Sequence, residues 1–343
     1  MNPSRIAEEG DILFSVRAPI GTVNRVTQRC AIGRGLSAIR ANNKNDDNFI
    51  EFVLRGMDKV WSVYESQGAI FGNIRKQDLE NLKIIWPPEH DRKLIGSTLS
   101  AYDDLIENNQ RRIQLLEQSA RLLYKEWFVH LRFPGHEHTT ITNGVPEGWE
   151  RKLIGDVCET VGGGTPSTKA PECWDGDITW ITPSDVTKNE SLVLLDSERK
   201  ISEQGLRKSS AKLVPAGTIL MTSRASVGFF ALMNREVCTN QGFINIIPHK
   251  NEMRMYLLFN LMSRVEEIRI NAKGTTYPEV SKGRFRNMYI VVPPAILVNN
   301  FSNLANNILH QIRTLKKSTR QLVQMRDLLL PRMLNGTITV FNM

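Results

Sequence analysis

The chain is poor in cysteine and in aromatic residues, and it has no long apolar run. Its 343 residues include four cysteines, Cys30, Cys158, Cys173 and Cys238, far apart and with no CxxC pair. That spacing indicates neither a disulfide framework nor a structural zinc site. No apolar stretch approaches the roughly 18 residues a spanning helix needs, so no membrane segment is expected. The opening, MNPSRIAEEGDIL, is acidic where a secretory signal would be basic and then greasy. A cytoplasmic protein is the expectation. Aromatics are only 7% of the chain, yet hydrophobic residues reach 41% and charged residues 23%, the balance of a folded chain with room for two domains.

Catalytic signatures are equally scarce. The triple glycine at 162–164 lacks the GK[ST] ending of a phosphate-cradling P-loop. No Asn-Pro-Pro-aromatic methyltransferase signature occurs, since Trp86-Pro87-Pro88-Glu89 merely ends a strand. His136 and His138, with His130 nearby, lie in a polar linker where solvated histidines are the ordinary explanation, so no metal site is expected. Asp185 with Glu198 and Lys200 mimics a two-carboxylate, one-lysine nuclease centre that would hold a metal ion. That pattern is common by chance and is kept as the rival reading, a metal-dependent nuclease.

Charge is of both signs with a basic excess: 44 Lys and Arg against 36 Asp and Glu, a net of +8. The excess is uneven. Residues 1–147 are balanced, whereas residues 295–343 carry six basic groups and one acidic. A mild positive balance suits a polyanionic partner through phosphate neutralisation.

What the chain does have is an internal repeat. GDILFSVRAPIG (10–21) matches GTILMTSRASVG (217–228) at an offset of 207, with Gly10/Gly217, Ile12/Ile219, Arg17/Arg224 and Gly21/Gly228 among the identities. The same offset pairs Ile39 with Ile246, Phe52 with Phe259 and Leu54 with Leu261. After one residue of slippage, an offset of 206 pairs Gly68 with Gly274, Asn81 with Asn287 and Pro87-Pro88 with Pro293-Pro294.

Each copy then ends in a long helical stretch. In the first, the seam runs through Ile95, Leu99, Tyr102, Ile106, Asn109, Ile113, Leu116, Ala120, Leu123 and Trp127 at alternating steps of four and three. In the second it runs through Phe301, Ala305, Ile308, Ile312, Leu315, Thr319, Leu322, Arg326, Leu329 and Met333. Two helices of about 38 residues would each extend roughly 57 Å. Either each lies on its own head, or the two pair in an antiparallel coiled coil; the repeated domain–helix unit favours the coil. Asp103, Asp104 and Glu107 on the first helix and Lys316, Lys317 and Arg320 on the second are expected to bias its orientation. Asn109 is expected to fix its register. Trp127 and Phe128, large and terminal, are expected to form a surface for a partner protein.

The expected class is α+β: two globular α/β heads related by the repeat and joined by two long helices in an antiparallel coiled coil. The divisions are a partial first head at 1–90, a first spacer helix at 91–130 and a linker at 131–147. A complete second head at 148–294, a second spacer helix at 295–335 and a tail at 336–343 follow. Only 9 residues precede Gly10, whereas Gly217 lies 69 residues beyond Gly148, so about 60 residues of the opening are missing relative to the second copy. A first head shortened at its N-terminus is expected.

The Gly-Trp opener at 148–149, GGGTPS…WDGDITWITPSDV, the GTIL…SRASVG strand, NQGF (240–243), the Pro-Pro pair and the long helix resemble the DNA-specificity (S) subunit of type I restriction–modification enzymes. LLLPRMLNGTITV (328–340) resembles that family's ending, and IGRGLSAI (32–39) also fits. The resemblance covers essentially the whole chain. It implies a non-catalytic subunit whose heads each read one half of a split double-stranded DNA target. It also implies helices that set the half-site spacing and dock two modification (methyltransferase) subunits and the restriction (ATP-dependent translocase and nuclease) subunits. S-adenosylmethionine, ATP and Mg2+ would then belong to those partners, and none to this chain.

Candidate DNA contacts in the complete head are polar residues of Gly-rich loops: Thr165, Ser167, Lys169, Ser223, Arg224, Asn240, Gln241, Lys273, Thr275, Thr276 and Lys282. Arg224 repeats Arg17, and a residue shared by two heads that read different sequences is a poor reader. The unrepeated loops 162–169 and 275–279 therefore rank first. Trp174 and Trp180 are expected in the core rather than stacked on bases.

Overall fold

A computed structural model describes residues 5–66, 72–273 and 278–336. The chain forms two compact units, Met1–Asn108 with Ser318–Met343, and Asn109–Lys317. The units are thus divided through the middle of both long helices rather than at the helix ends.

In the first unit, Ile12–Ser15 lies between Val23–Arg25 and Leu36–Ile39, antiparallel to both. Alternation along the strand sends Ile12 and Phe14, both wholly buried, into a core with Val16, Ile20, Leu54, Trp61 and Ile74. Each such side chain contributes about 1.5–3 kcal/mol by leaving water. The helix Asp47–Arg55 is apolar on two faces. Leu54 turns to the sheet, while Phe49, Phe52 and Val53 pack on Ile95 and Leu99 of the first long helix and Met333 of the second.

The second unit repeats this plan. Ile219–Thr222 lies between Phe230–Leu232 and Phe243–Pro248, and Cys158–Gly162 adds a fourth strand beside the last. Ile12 stands opposite Arg25 and Ile39, and Ile219 opposite Leu232 and Ile246, so the repeat offset holds across both ladders. A second sheet runs Arg199–Ile201, Trp174–Ile181, Cys238–Thr239, and Glu150–Leu153 pairs with Tyr289–Val292.

The long helices are Glu89–Tyr124, extended by one π-helical turn Lys125–Val129, and Ala295–Leu334. In the first unit Leu99 near the start of one clusters with Met333 near the end of the other. In the second unit Tyr124 and Phe301 meet with ring centroids 5.8 Å apart. Opposite ends meet in each unit, so the pairing is antiparallel. Ile106, Asn109, Ile113, Ile312 and Leu315 are buried, while Leu116 and Leu322 are half-buried.

Three expectations about the helices are corrected. Trp127 and Phe128 are not a free surface. Phe128 is buried, with Tyr256 at 4.9 Å and Phe301 at 5.2 Å between centroids, and Trp127 packs half-buried on the same cluster. By the end of the first helix the buried stripe has drifted from the strict heptad to Ile113, Glu117, Ala120 and Tyr124, as a 3.6-residue repeat must. The expected charge pairing is also replaced: Asp103 bonds Arg55 and Arg326, each at 2.6 Å. Lys316 instead turns into its own head, donating to the Val193 carbonyl at 2.7 Å and to Asn189. Burial lowers its pKa. Finally, Arg326, a charged residue on the expected seam, is satisfied there by its ion pair with Asp103.

Candidate nucleic-acid interface

Strand register in the second unit decides which loops meet. Thr222 stands opposite Phe243, and Ile244 opposite Gly162. The segments after Thr222 and Gly162 and the one before Phe243 therefore leave the same end of the sheet. Backbone bonds bind them together: Ser223 N–H to the Gly242 carbonyl at 2.7 Å, Gly164 N–H to that of Thr239 at 2.9 Å, and Asn240 N–H to that of Ile181 at 2.9 Å. The 278–282 segment joins them through Val280 N–H to the Ser223 carbonyl at 3.0 Å and Ala225 N–H to that of Pro278 at 3.0 Å. Four sequence-distant loops thus form one surface.

On that surface Ser167, Lys169, Arg224, Gln241, Lys273 and Lys282 are exposed, and Thr165 and Asn240 half-buried. Thr165 is hydrogen-bonded to Gln241, which ties the first-ranked loop to the turn before Phe243. Lys282 begins a short helix capped by Ser281, and its Nζ lies 3.1 Å from where a Gly162 Cβ would stand. Lys273 closes its loop by two backbone bonds with Glu279, each 2.9 Å. Thr275 and Thr276 lie outside the described residues. Ser223 is corrected: it is 2% exposed and serves through its backbone, so it has no face to offer a base. Arg224 pairs loosely with Glu279 at 3.9 Å, and Asn240 Oδ1 is taken by Gly242 N–H at 2.9 Å.

The triple glycine has a structural reason. A Cβ at Gly163 would lie 2.0 Å from the Asn240 carbonyl oxygen, and one at Gly164 2.3 Å from Ser210. Only glycine allows these approaches. Trp174 and Trp180 anchor the same loop as core residues, donating to the carbonyls of Ser167 at 3.0 Å and Gly164 at 2.9 Å.

Asp185 has a structural role. Its Oδ2 accepts from Thr182 N–H at 2.8 Å and Thr182 O–H at 2.6 Å, and its Oδ1 from Glu198 N–H at 2.8 Å. It caps the helix Pro183–Thr187 and holds the Glu198 segment in place. Among the described residues no group of three or more His, Cys, Asp or Glu is placed to hold a metal.

Sequence reasoning missed Arg199. Its exposed guanidinium stacks on Trp174 at 3.7 Å from the ring centroid, beside the loop that both tryptophans anchor. In the sequence its neighbours Glu198 and Lys200 suggest carboxylate chemistry, and no spacing singles out Arg199. The strand pairing of Trp180 with Arg199 is what brings the arginine to this surface.

The model of the type I restriction modification DNA specificity domain matches residues 3–118 and 146–297. The chain is 35% identical over 205 residues to the specificity subunit of the type I restriction enzyme MjaIX of Methanocaldococcus jannaschii, covering 57% of this chain and 48% of that one. It is 22% identical over 338 residues to the HindI specificity subunit of Haemophilus influenzae, covering 80% and 73%. The chain thus spans about half the length of the first of these relatives. The crystal structure of the type I restriction-modification system S subunit from M. genitalium shares the fold, with a TM-score of 0.64 at 16% identity over 96% of this chain and 83% of that one.

Proposed function

The chain belongs to the type I restriction modification DNA specificity family, and from that premise we propose that it is a non-catalytic subunit that reads duplex DNA through its heads. The paired helices set the spacing of a bipartite target and dock modification and restriction subunits, on which S-adenosylmethionine, ATP and Mg2+ act. Its place is the cytoplasm, with the DNA it reads. The observation that carries this reading is the convergence of the 162–169, 223–225, 240–242 and 278–282 segments on one end of the sheet, with exposed Lys169, Arg224, Gln241 and Lys282. Lysines there would neutralise phosphates and fix register, while Gln241 and Arg199 would bond base edges.

The test is selection of duplexes from a random library by the full chain, followed by salt titration. Enrichment of a defined sequence is expected. Lys169→Ala and Lys282→Ala should each lower the salt slope by about one, and Gln241→Ala should cost about 1–3 kcal/mol at one base position. Absence of any duplex binding, or cleavage by the purified chain with magnesium alone, overturns the reading.

A further inference from the structure

In the second unit Arg254 and Arg313 lie together with no acidic partner among the described residues. At the end of the sheet away from the loops above, where Ile219 stands opposite Leu232, a cavity of about 350 Å³ opens. It is lined by Arg254 of the helix Met253–Ser263 and by Asn306, His310 and Arg313 of the second long helix, with no aspartate or glutamate. The Nε atoms of Arg254 and Arg313 are both buried without a hydrogen-bond partner among the described residues. The only side-chain bond of the two among those residues runs from Arg254 Nη2 to Asn306 Oδ1 at 3.2 Å. Gly217, at φ +79°, makes room for this group: a Cβ there would stand 2.3 Å from Arg254 Nη1. Burial, and then the charge of Arg313, lowers the Arg254 pKa.

Two like charges with orphaned donors in a half-buried cavity cost stability, so each calls for an explanation. The fold itself does not require them. At the repeat offsets, the counterparts of Arg254, His310 and Arg313 are Asp47, Asp104 and Glu107. The first copy thus carries acidic groups where the second carries basic ones.

We propose that this cavity is an anion receptor whose occupant is a carboxylate side chain of a partner protein docking along the second long helix. The planar guanidinium fork fits a carboxylate in bidentate fashion. Duplex DNA held by the loops at the opposite end of the sheet would not bring its phosphates here, so a protein carboxylate is the fitting source. The choice of occupant rests on the assembly role proposed above; the receptor itself rests only on the cavity.

The test uses the full chain with Arg313→Gln, and with Arg254→Gln/Arg313→Gln as the second variant. In chloride buffer Arg313→Gln should melt no lower than the unaltered chain, because a like-charge repulsion has been removed. Glutarate, against sodium chloride at matched ionic strength, should raise the melting temperature of the unaltered chain and of neither variant. Association with the modification subunits should weaken at least about tenfold in Arg313→Gln, with duplex DNA affinity changed less than about twofold. A fall in melting temperature on Arg313→Gln marks the pair as structural and overturns the proposal, as does an equal glutarate response in all three proteins. Tenfold loss of DNA affinity instead would make the occupant a phosphate and also overturns it. A glutarate response without any association of the unaltered chain with modification subunits supports the receptor and refutes the assembly role.

Discussion

The two copies attach head to helix at equivalent positions by opposite chemistry. In the first unit the joint is ionic. Arg25 and Arg55 both reach Glu51, Arg55 and Arg326 both reach Asp103, and Arg326 also bonds Asp327 at 2.8 Å. At the repeat offsets Arg25, Glu51, Arg55, Asp103 and Arg326 become Leu232, Leu258, Met262, Leu309 and Ala120. All five of the latter belong to, or pack on, the second unit's apolar core. One fold therefore accepts either filling at the same five points. The ionic set is tolerable because its arginine side chains remain 22–33% exposed and keep part of their hydration. Beside the apolar set lies an aromatic cluster of Tyr124, Phe128, Tyr256, Phe259 and Phe301. Their counterparts Leu330, Leu334, Phe49, Phe52 and Ile95 are mostly aliphatic.

The largest effect expected from this contrast is at Phe301, wholly buried against three of those rings, Tyr124, Phe128 and Phe259, and against Trp127. Phe301→Ala should destabilise the second unit by about 3–5 kcal/mol through lost burial and the cavity left behind. Denaturant unfolding measures it, and a cost below about 1 kcal/mol would show that the aromatic joint is loose. Next comes Asp103→Ala, which leaves Arg55 and Arg326 without their shared carboxylate. Removing one partner of a buried pair costs about 3–5 kcal/mol, and partial exposure here reduces the expectation to about 2 kcal/mol. Converting the whole set to its counterparts, Arg25→Leu, Glu51→Leu, Arg55→Met, Asp103→Leu and Arg326→Ala together, should by contrast be neutral within about 1 kcal/mol or stabilising. If the fivefold variant is less stable than Asp103→Ala alone, the two joints are not interchangeable.

This contrast also shows what can be read from a sequence. The repeat was legible because it rests on local backbone demands: Gly10 and Gly217 have φ of +89° and +79°, and Gly21 and Gly228 of +90° and +87°. The seam was legible because helical periodicity is local too. The ionic joint was not, since Asp103 and Arg326 are 223 positions apart and no spacing rule links them. The candidate interface was half legible. Glycine-rich loops marked where the chain turns at the sheet end, but burial of Ser223 and exposure of Arg199 on Trp174 depend on strand register. Trp127 and Phe128 were misassigned because a terminal aromatic looks the same in sequence whether it faces solvent or folds back on a head.

The smallest predicted difference is in acid. Asp11, 3% exposed, accepts from Arg40 Nε at 2.6 Å and Nη2 at 2.8 Å and from Glu8 N–H at 2.8 Å. The Arg40 bonds hold its pKa below the ordinary 3.8, against a burial penalty that alone would raise it. A depressed folded-state pKa contributes stability that is present above 3.8 and is lost as pH falls through the lower, folded value. The counterparts of Asp11 and Arg40 are Thr218 and Ile247, which do not titrate. Hydrogen-exchange protection should therefore fall in Ile12–Ser15 below about pH 4 while it holds in Ile219–Thr222. The difference should be about 1 kcal/mol or less, because the Arg40 side chain is 57% exposed. Asp11→Asn should flatten this pH dependence at some cost in stability at neutral pH. Equal acid sensitivity of the two strands would mean that the polar and apolar copies differ in composition but not in how they respond to protons.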